Sequence, residues 1–447
     1  MREKVVVLLL LTATVAARTA LPAQSPAPVR LSFAEAVARA TGAAPAVELA
    51  GWRTDEARAR VRQARAYILP SLSAGAGWVN RSLNRRSFGI EFPTTPGSPP
   101  SSDLVGPFDN ADARLRVSQT VFDWSGRGRL VAARAQLESA EADGGAAAEA
   151  AAQGAALAYL RMLRGRALVA ARAADSALAA ELVSLARAQR DAGVSAGIDL
   201  TRAQTQLTAA AGALVVARNQ EQRAKIDLGR VLGLDPATPL DPSDTLAAAL
   251  PRVDVPAERG AAVALGVARR ADLAAEIARG TAARRMAAAI RAERLPRLDI
   301  AADYGANGPS FGDAIATRQV AVQVTLPILD GFRREGRLAE NDALARGAET
   351  RVRDLRQQIA ADVDAARLDV SSGAALEAIA AQALTLARQE VAEARERFAA
   401  GVAGNIELIT AQQSLLHARD ADIDARFAAA AARVALARAA GVARTLR

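Results

Sequence analysis

The chain has 447 residues, 51% of them hydrophobic but only 3% aromatic, with a formal charge of +9 and no cysteine. This excludes disulfides, thiolate metal sites and cysteine nucleophiles, and it leaves too few large side chains for a thick globular core. Alanine and charge together fit long helices packed side by side, and the arginines alternate with Asp and Glu, a solvated-face pattern rather than a nucleic-acid patch.

The N-terminus, MREKVVVLLLLTATVAARTALPAQS, starts with Arg2 and Lys4, continues as an apolar run from Val5 to Ala17, and ends in small residues. This predicts a secretory signal over residues 1–24. With no cysteine, no lipid anchor is expected on the exported chain. No later segment offers the ~20 uncharged apolar residues of a spanning helix.

A first repeat is placed at 25–233. Ser32 and Glu35 form a capping box before FAEAVARA, and a helix of moderate length is expected to stop at Pro70. Leu72, Ala74, Ala76 and Trp78 then alternate with Ser73, Gly75 and Gly77, a strand signal. A long loop follows. Alternation returns with Leu115, Val117 and Val121 against Arg114, Arg116, Ser118 and Thr120. Asp123 is the expected N-cap of a proline-free helix. That helix runs roughly 70 residues, about 105 Å at 1.5 Å per residue, to Gly193. There the turn needs a left-handed residue, and a helix of roughly 40 residues is expected to return.

Residues 234–257 form a proline-marked connector. The second repeat, 258–442, has the same grammar. Its first helix is expected to stop at Pro296. Leu298, Ile300, Ala302 and Tyr304 alternate with Asp299, Ala301 and Asp303. After a shorter loop, Val320, Val322, Val324 and Leu326 alternate with Ala321, Gln323 and Thr325. Asp330 is the expected second N-cap, and the following helix runs to Gly401. Leu384, Val391 and Phe398 recur in it every seven residues as a coiled-coil seam. Residues 443–447 are read as a short tail. RDAGVSAGIDLTRAQTQL, beginning at Arg190, reappears as RFAAGVAGNIELITAQQSL, beginning at Arg397. Gly193 thus matches Gly401, Asp199 matches Glu407, and Gln204 matches Gln412.

Each of the four alternating runs has roughly the ten residues of a tilted strand crossing a bilayer. One apolar and one polar face suit a barrel with lipid outside and water inside. Four strands cannot close a barrel, since the smallest have about eight. An open sheet in lipid would leave its edges unsatisfied, so partner chains are required and three would supply twelve strands. The shorter helices are expected to stack end to end beside the long ones.

LPSLSAGAGW, SQTVFDWSG, TLPILDG and the paired AGVSAGIDL and AGVAGNIEL resemble the TolC-like outer-membrane efflux proteins, over residues 31–442 and in the right order. The resemblance implies a mainly α fold with a small β part. A tandem-repeat, long-helix coiled-coil α-barrel in the periplasm joins a 12-stranded β-barrel, formed in the outer membrane by a homotrimer with four strands per protomer. It also implies passive export of substrates handed over by a periplasmic adaptor protein and an inner-membrane pump. The tip motif for adaptor docking falls on Gly193, Val194, Gly401 and Val402. Asp199 matches a gating acid, Glu407 a lumen-constricting acid, and Phe398 an aromatic often found before the glycine. Arg190, Ala403 and Thr410 depart from residues that members carry at their positions.

Bland readings stand beside these. Asp199 and Glu407 also suit helix N-termini as dipole-favoured charges. His417, the single histidine, has no neighbours of ligand type. GRGRL lacks the phosphate-loop pattern, and one histidine without an acid constellation excludes a Ser-His-Asp triad. No enzyme activity, metal, cofactor or nucleic acid is expected. The alternative reading, a soluble periplasmic coiled-coil scaffold or adaptor, leaves the four matched strand runs unexplained.

Overall fold

The computed structural model describes residues 28–84, 87, 103–193, 195–248, 251–400, 402 and 404–447. The expected signal segment, most of the loop between the first two long strands, and Val194, Gly401 and Ala403 lie outside the described residues.

The first repeat comprises β1 (Val29–Leu31), α1 (Phe33–Ala43), α2 (Pro45–Ala66), β2 (Ser71–Asn84), β3 (Leu104–Phe122), α3 (Trp124–Asp191) and α4 (Gly197–Val231). After β4 (Leu240–Pro242) the second comprises α5 (Arg259–Arg269), α6 (Ala271–Ala292), β5 (Arg297–Gly308), β6 (Ile315–Thr325), α7 (Arg333–Ala399) and α8 (Asn405–Ala439). The two long helices have 68 and 67 residues, and each returns as a helix of 35.

The expected helix of moderate length is two helices in each half. In the first half the break is proline chemistry. Pro45 has no N–H and drives the preceding Ala44 out of the helical region, to ψ 140°, while its own ring suits the first position of α2. No proline follows Arg270, yet it is extended too (ψ 115°). Here a nearly buried guanidinium holds the corner: its Nη2 donates to Asp272 at 2.7 Å and its Nη1 to Asp362 of α7 at 2.6 Å. α2 and α6 end at Ala66 and Ala292, before the prolines expected to stop them.

Asp123 caps α3, its carboxylate accepting from the Ser125 N–H at 2.8 Å. Asp330 does not cap α7. Phe332 occupies the cap at φ +62° without a side-chain hydrogen bond. The αL residue Gly331 carries Asp330 past the helix start, and Asp330 instead accepts from Arg334 Nε at 2.9 Å. α7 also holds one 18-residue window that is apolar enough to cross a membrane by length and composition, though no run in it reaches the ~20 uncharged residues expected of a spanning helix. That window lies in a helix packed along α6 and α8.

The long strands form one antiparallel sheet in the order β2-β3-β5-β6, with β3 and β5 joining the halves. β5 and β6, with 12 and 11 residues, are near the expected ten, whereas β2 has 14 and β3 has 19. The faces alternate as read from the sequence. Leu115 pairs with Tyr304 and Val320 with Ala302 on one face, Arg114 with Gly305 and Gln323 with Asp299 on the other. Register slips between Thr120 and Phe122, taking Val121 out of the β3–β5 ladder. The polar face carries hydrogen bonds between strands: Arg114 bridges Asp112 and Asp303, and Thr120 donates to Asp299. The apolar face, including Leu72, Trp78, Leu115, Tyr304 and Val322, is exposed.

The shorter helices stack end to end. A side chain at Gly233, past α4, would touch Pro45 at the start of α2. One at Gly441, past α8, would strike Arg269 and Arg270 at the start of α6. Gly128 lets α3 approach α6 so closely that an added Cβ would lie 2.7 Å from the Ala289 Cβ. The main core sits midway along α3, where Phe33, Val37, Tyr159, Leu160, Leu228 and Leu232 cluster. Phe33 meets Tyr159 edge-on at 5.9 Å. The Tyr159 hydroxyl lies 2.8 Å from both the Leu31 carbonyl and the Asp244 carboxylate. Burial and that neighbouring carboxylate push its pKa up.

The connector and tail belong to this core. β4 pairs in parallel with β1. The segment 443–447 turns as a short 3-10 helix, Ala443–Thr445, and buries Leu446. Glu149, fully buried on α3, accepts from the Ala443 N–H and from Arg444 Nε, each at 2.8 Å.

Candidate functional site

The two helical hairpins turn at matched places, and the sequence explains the turns locally. α3 ends at Asp191, Ala192 stays helical, and Gly193 takes φ +75°. That left-handed conformation is cheap only for glycine. The Gly193 N–H donates to the Arg190 carbonyl at 3.0 Å. In the second hairpin the Val402 N–H donates to the Arg397 carbonyl at 3.0 Å, the long bond of a Schellman turn. α4 and α8 restart behind Ala196 and Gly404 without side-chain caps.

Asp199 and Glu407 are each the third residue of a returning helix, where the positive end of the backbone dipole favours an acid. Asp199 lies 3.7 Å from Arg202 on its own helix. Glu407 reaches across its turn to Arg397 Nε at 3.4 Å. The two matched acids thus have different partners. Phe398 does not project freely from the turn: it is buried with Leu408, Ala411, Leu415 and the seam residues Leu384 and Val391. Leu182 of α3 enters the same cluster. Gln189 Nε2 donates to the Phe398 carbonyl at 3.4 Å and Arg395 pairs with Glu181 at 3.1 Å, so the hairpins are tied together just behind their turns.

Sequence reasoning missed two kinds of residue here. Ile198 and Ile406 hold the same helical position in the two repeats and are 56% and 63% exposed, beside Val402 at 73%. The signal was present, an apolar residue repeated before the acid in AGID and GNIE. Arg397 was missed because its pairing depends on turn geometry, and Arg202 although its i,i+3 spacing from Asp199 was readable. The matched glutamines diverge: Gln204 is exposed, whereas Gln412 is buried with its Nε2 lacking a partner among the described residues. His417 is exposed, and no cluster of metal-ligating side chains occurs among the described residues.

The profile described as "Outer membrane efflux protein" matches residues 36–234 and 265–442. Protein CyaE of Bordetella pertussis is 28% identical over 399 residues, 87% of this chain and 79% of that protein. The fold is that of the outer membrane protein VceC from Vibrio cholerae, with a TM-score of 0.74 and 21% identity over 92% of this chain and 96% of the other. It is also that of the CmeC outer membrane channel of Campylobacter jejuni, with a TM-score of 0.76 and 16% identity over 92% and 86%.

Proposed function

The chain belongs to the outer membrane efflux protein family, and from that membership we propose that three copies close their four-stranded sheets into one barrel of twelve strands. Proteins of this family are transport channels of the outer membrane that work with an adaptor and a pump. In this reading the hairpins of three protomers form a periplasmic tunnel below the barrel. Conduction through it is passive, with direction supplied by the inner-membrane pump.

One observation carries the proposal. The sheet is open, with β2 and β6 at its edges, and its apolar face is exposed while its polar face carries cross-strand hydrogen bonds. Neither water nor lipid satisfies both features of a lone sheet: water is wrong for the apolar face, and lipid for the open edges. A closed barrel answers both. A soluble scaffold would leave that face uncovered.

The turns at Gly193-Val194 and Gly401-Val402 are the proposed docking points for the adaptor. Ile198, Val402 and Ile406 offer it exposed apolar contacts. Asp199 and Glu407 are the proposed gate residues. Phe398, buried in the seam, serves the gate by fixing the second turn rather than by blocking the pore. Native mass of the full-length product, extracted in mild detergent from separated outer membranes, tests the assembly. A trimer is expected there. A monomer or dimer in the soluble periplasmic fraction would overturn the reading.

A further inference from the structure

Where the sheet meets the helices, residues of both repeats line a cavity of about 290 Å³, near the small end of ligand sites at about 300 Å³. Its wall is unusually rich in arginine. Arg129 lies 3.1 Å from Asp123 and 3.5 Å from Glu293, and Arg337 lies 2.9 Å from Glu293. Arg297 is answered from just outside by Asp299 at 2.7 Å, and Arg334 by Asp330 at 2.9 Å. The fifth, Arg333, has no carboxylate partner among the described residues and leaves the wall with an unbalanced positive charge.

Arg334 is the more telling residue. It is only 5% exposed, yet its Nη1 is buried without any hydrogen-bond partner. Nε is held by Asp330, and Nη2 lies 3.4 Å from the Ile328 carbonyl. A buried cationic N–H lacking an acceptor is costly, and an anion in the cavity would satisfy it. Arg333 and Arg334 are also the first two residues of α7, whose cap Phe332 supplies no side-chain acceptor. The positive end of a 67-residue helix therefore adds to the field there.

We propose that this cavity binds an oxyanion, a phosphate group on a solute inside the channel. The side it opens to follows from register. Arg297 and Thr325 line it and pair with each other on the polar face, whereas Leu298 and Val324 pair on the apolar face. The site therefore faces the future lumen and not lipid headgroups. Only that lumenal placement rests on the barrel reading; the site itself lies within one chain.

The test is calorimetric titration of the full chain in mild detergent with inorganic phosphate at low ionic strength. Saturable binding is expected. Arg333→Gln breaks no ion pair, so it should fold normally, and it should weaken binding by at least about tenfold, the loss of one charge-assisted contact. Arg334→Gln should weaken it too, and Arg346→Gln, on an exposed face of α7, should leave it unchanged. Absence of saturation, equal binding by wild type and Arg333→Gln, or binding seen only as adhesion to phosphatidylglycerol vesicles would overturn the proposal. Native mass on the same sample separates the two readings. A monomer that still binds phosphate sinks the barrel alone, and a trimer that does not sinks the anion site alone.

Discussion

Asp199 and Glu407 hold the same helical position but have different neighbours: Asp199 has Arg202 one turn on, and Glu407 has Arg397 across its own turn. Both pairs are partly exposed, and exposed ion pairs contribute only about 0–1 kcal/mol. Stability is therefore a poor reason for these acids, and the gate role proposed for them is open to direct test. Reversing both charges, Asp199→Arg with Glu407→Arg, should raise conductance in planar bilayers while the native mass stays that of the wild type. Unchanged conductance in properly assembled protein would remove them from the gate. The repeat made both acids legible in the sequence. The partner of Glu407 was not, because an arginine on the outgoing helix meets an acid on the returning one only after the turn has set their spacing.

At the scale of elements, the hydrophobic seam and the ion pairs between helices divide the work. The heptad Leu384, Val391 and Phe398 was readable because a period of seven places those residues on one face, and the cluster with Leu408 and Leu415 lies there. Glu276 was not readable. It is almost fully buried on α6, where Arg351 of α7 donates to it at 2.5 Å and Arg279 at 2.7 Å. Burial by itself would raise its pKa, but the two guanidiniums hold it below the ordinary carboxylate range. A carboxyl depressed in the folded state contributes stability above its unfolded value, and that stability is lost as pH falls through the folded one. Glu276→Gln should therefore lower stability by about 1–2 kcal/mol at pH 7, and the gap to wild type should close as pH falls below the ordinary carboxylate range. Thermal unfolding of both proteins across that range checks this. A gap independent of pH would mean that packing, not charge, is what Glu276 supplies. The failed expectation at Asp330 belongs to the same scale: one left-handed glycine moved the helix start beyond the reach of its cap.

For the whole molecule, the sheet decides where the protein resides. Val322 and Gln323 are neighbours on β6 that face opposite ways, Val322 pairing with Ile300 and Gln323 with Asp299. Val322 is 66% exposed and would face lipid in the outer membrane. An arginine there costs about 2–4 kcal/mol near the bilayer midplane, whereas an arginine on the lumenal face meets water and Asp299. Val322→Arg should sharply reduce the trimer recovered from outer membranes, and Gln323→Arg should not. Equal recovery of the two would show that this face does not meet lipid.

The sequence by itself determined the duplication, the four alternating strands, the two helices of about one hundred ångströms and the glycine turns. These are local or periodic properties, written in hydrophobic spacing and in the few residues that tolerate special backbone angles. The tertiary structure decided what depends on distant segments meeting. It split the first helix of each half by two different means, proline at Pro45 and an arginine clasp at Arg270. It drew the connector and the tail into the core through β4 and Glu149. It also gathered five arginines from both repeats around one cavity. No periodicity announces such meetings, because they are set by how helices and strands cross in space and not by the order in which they are written.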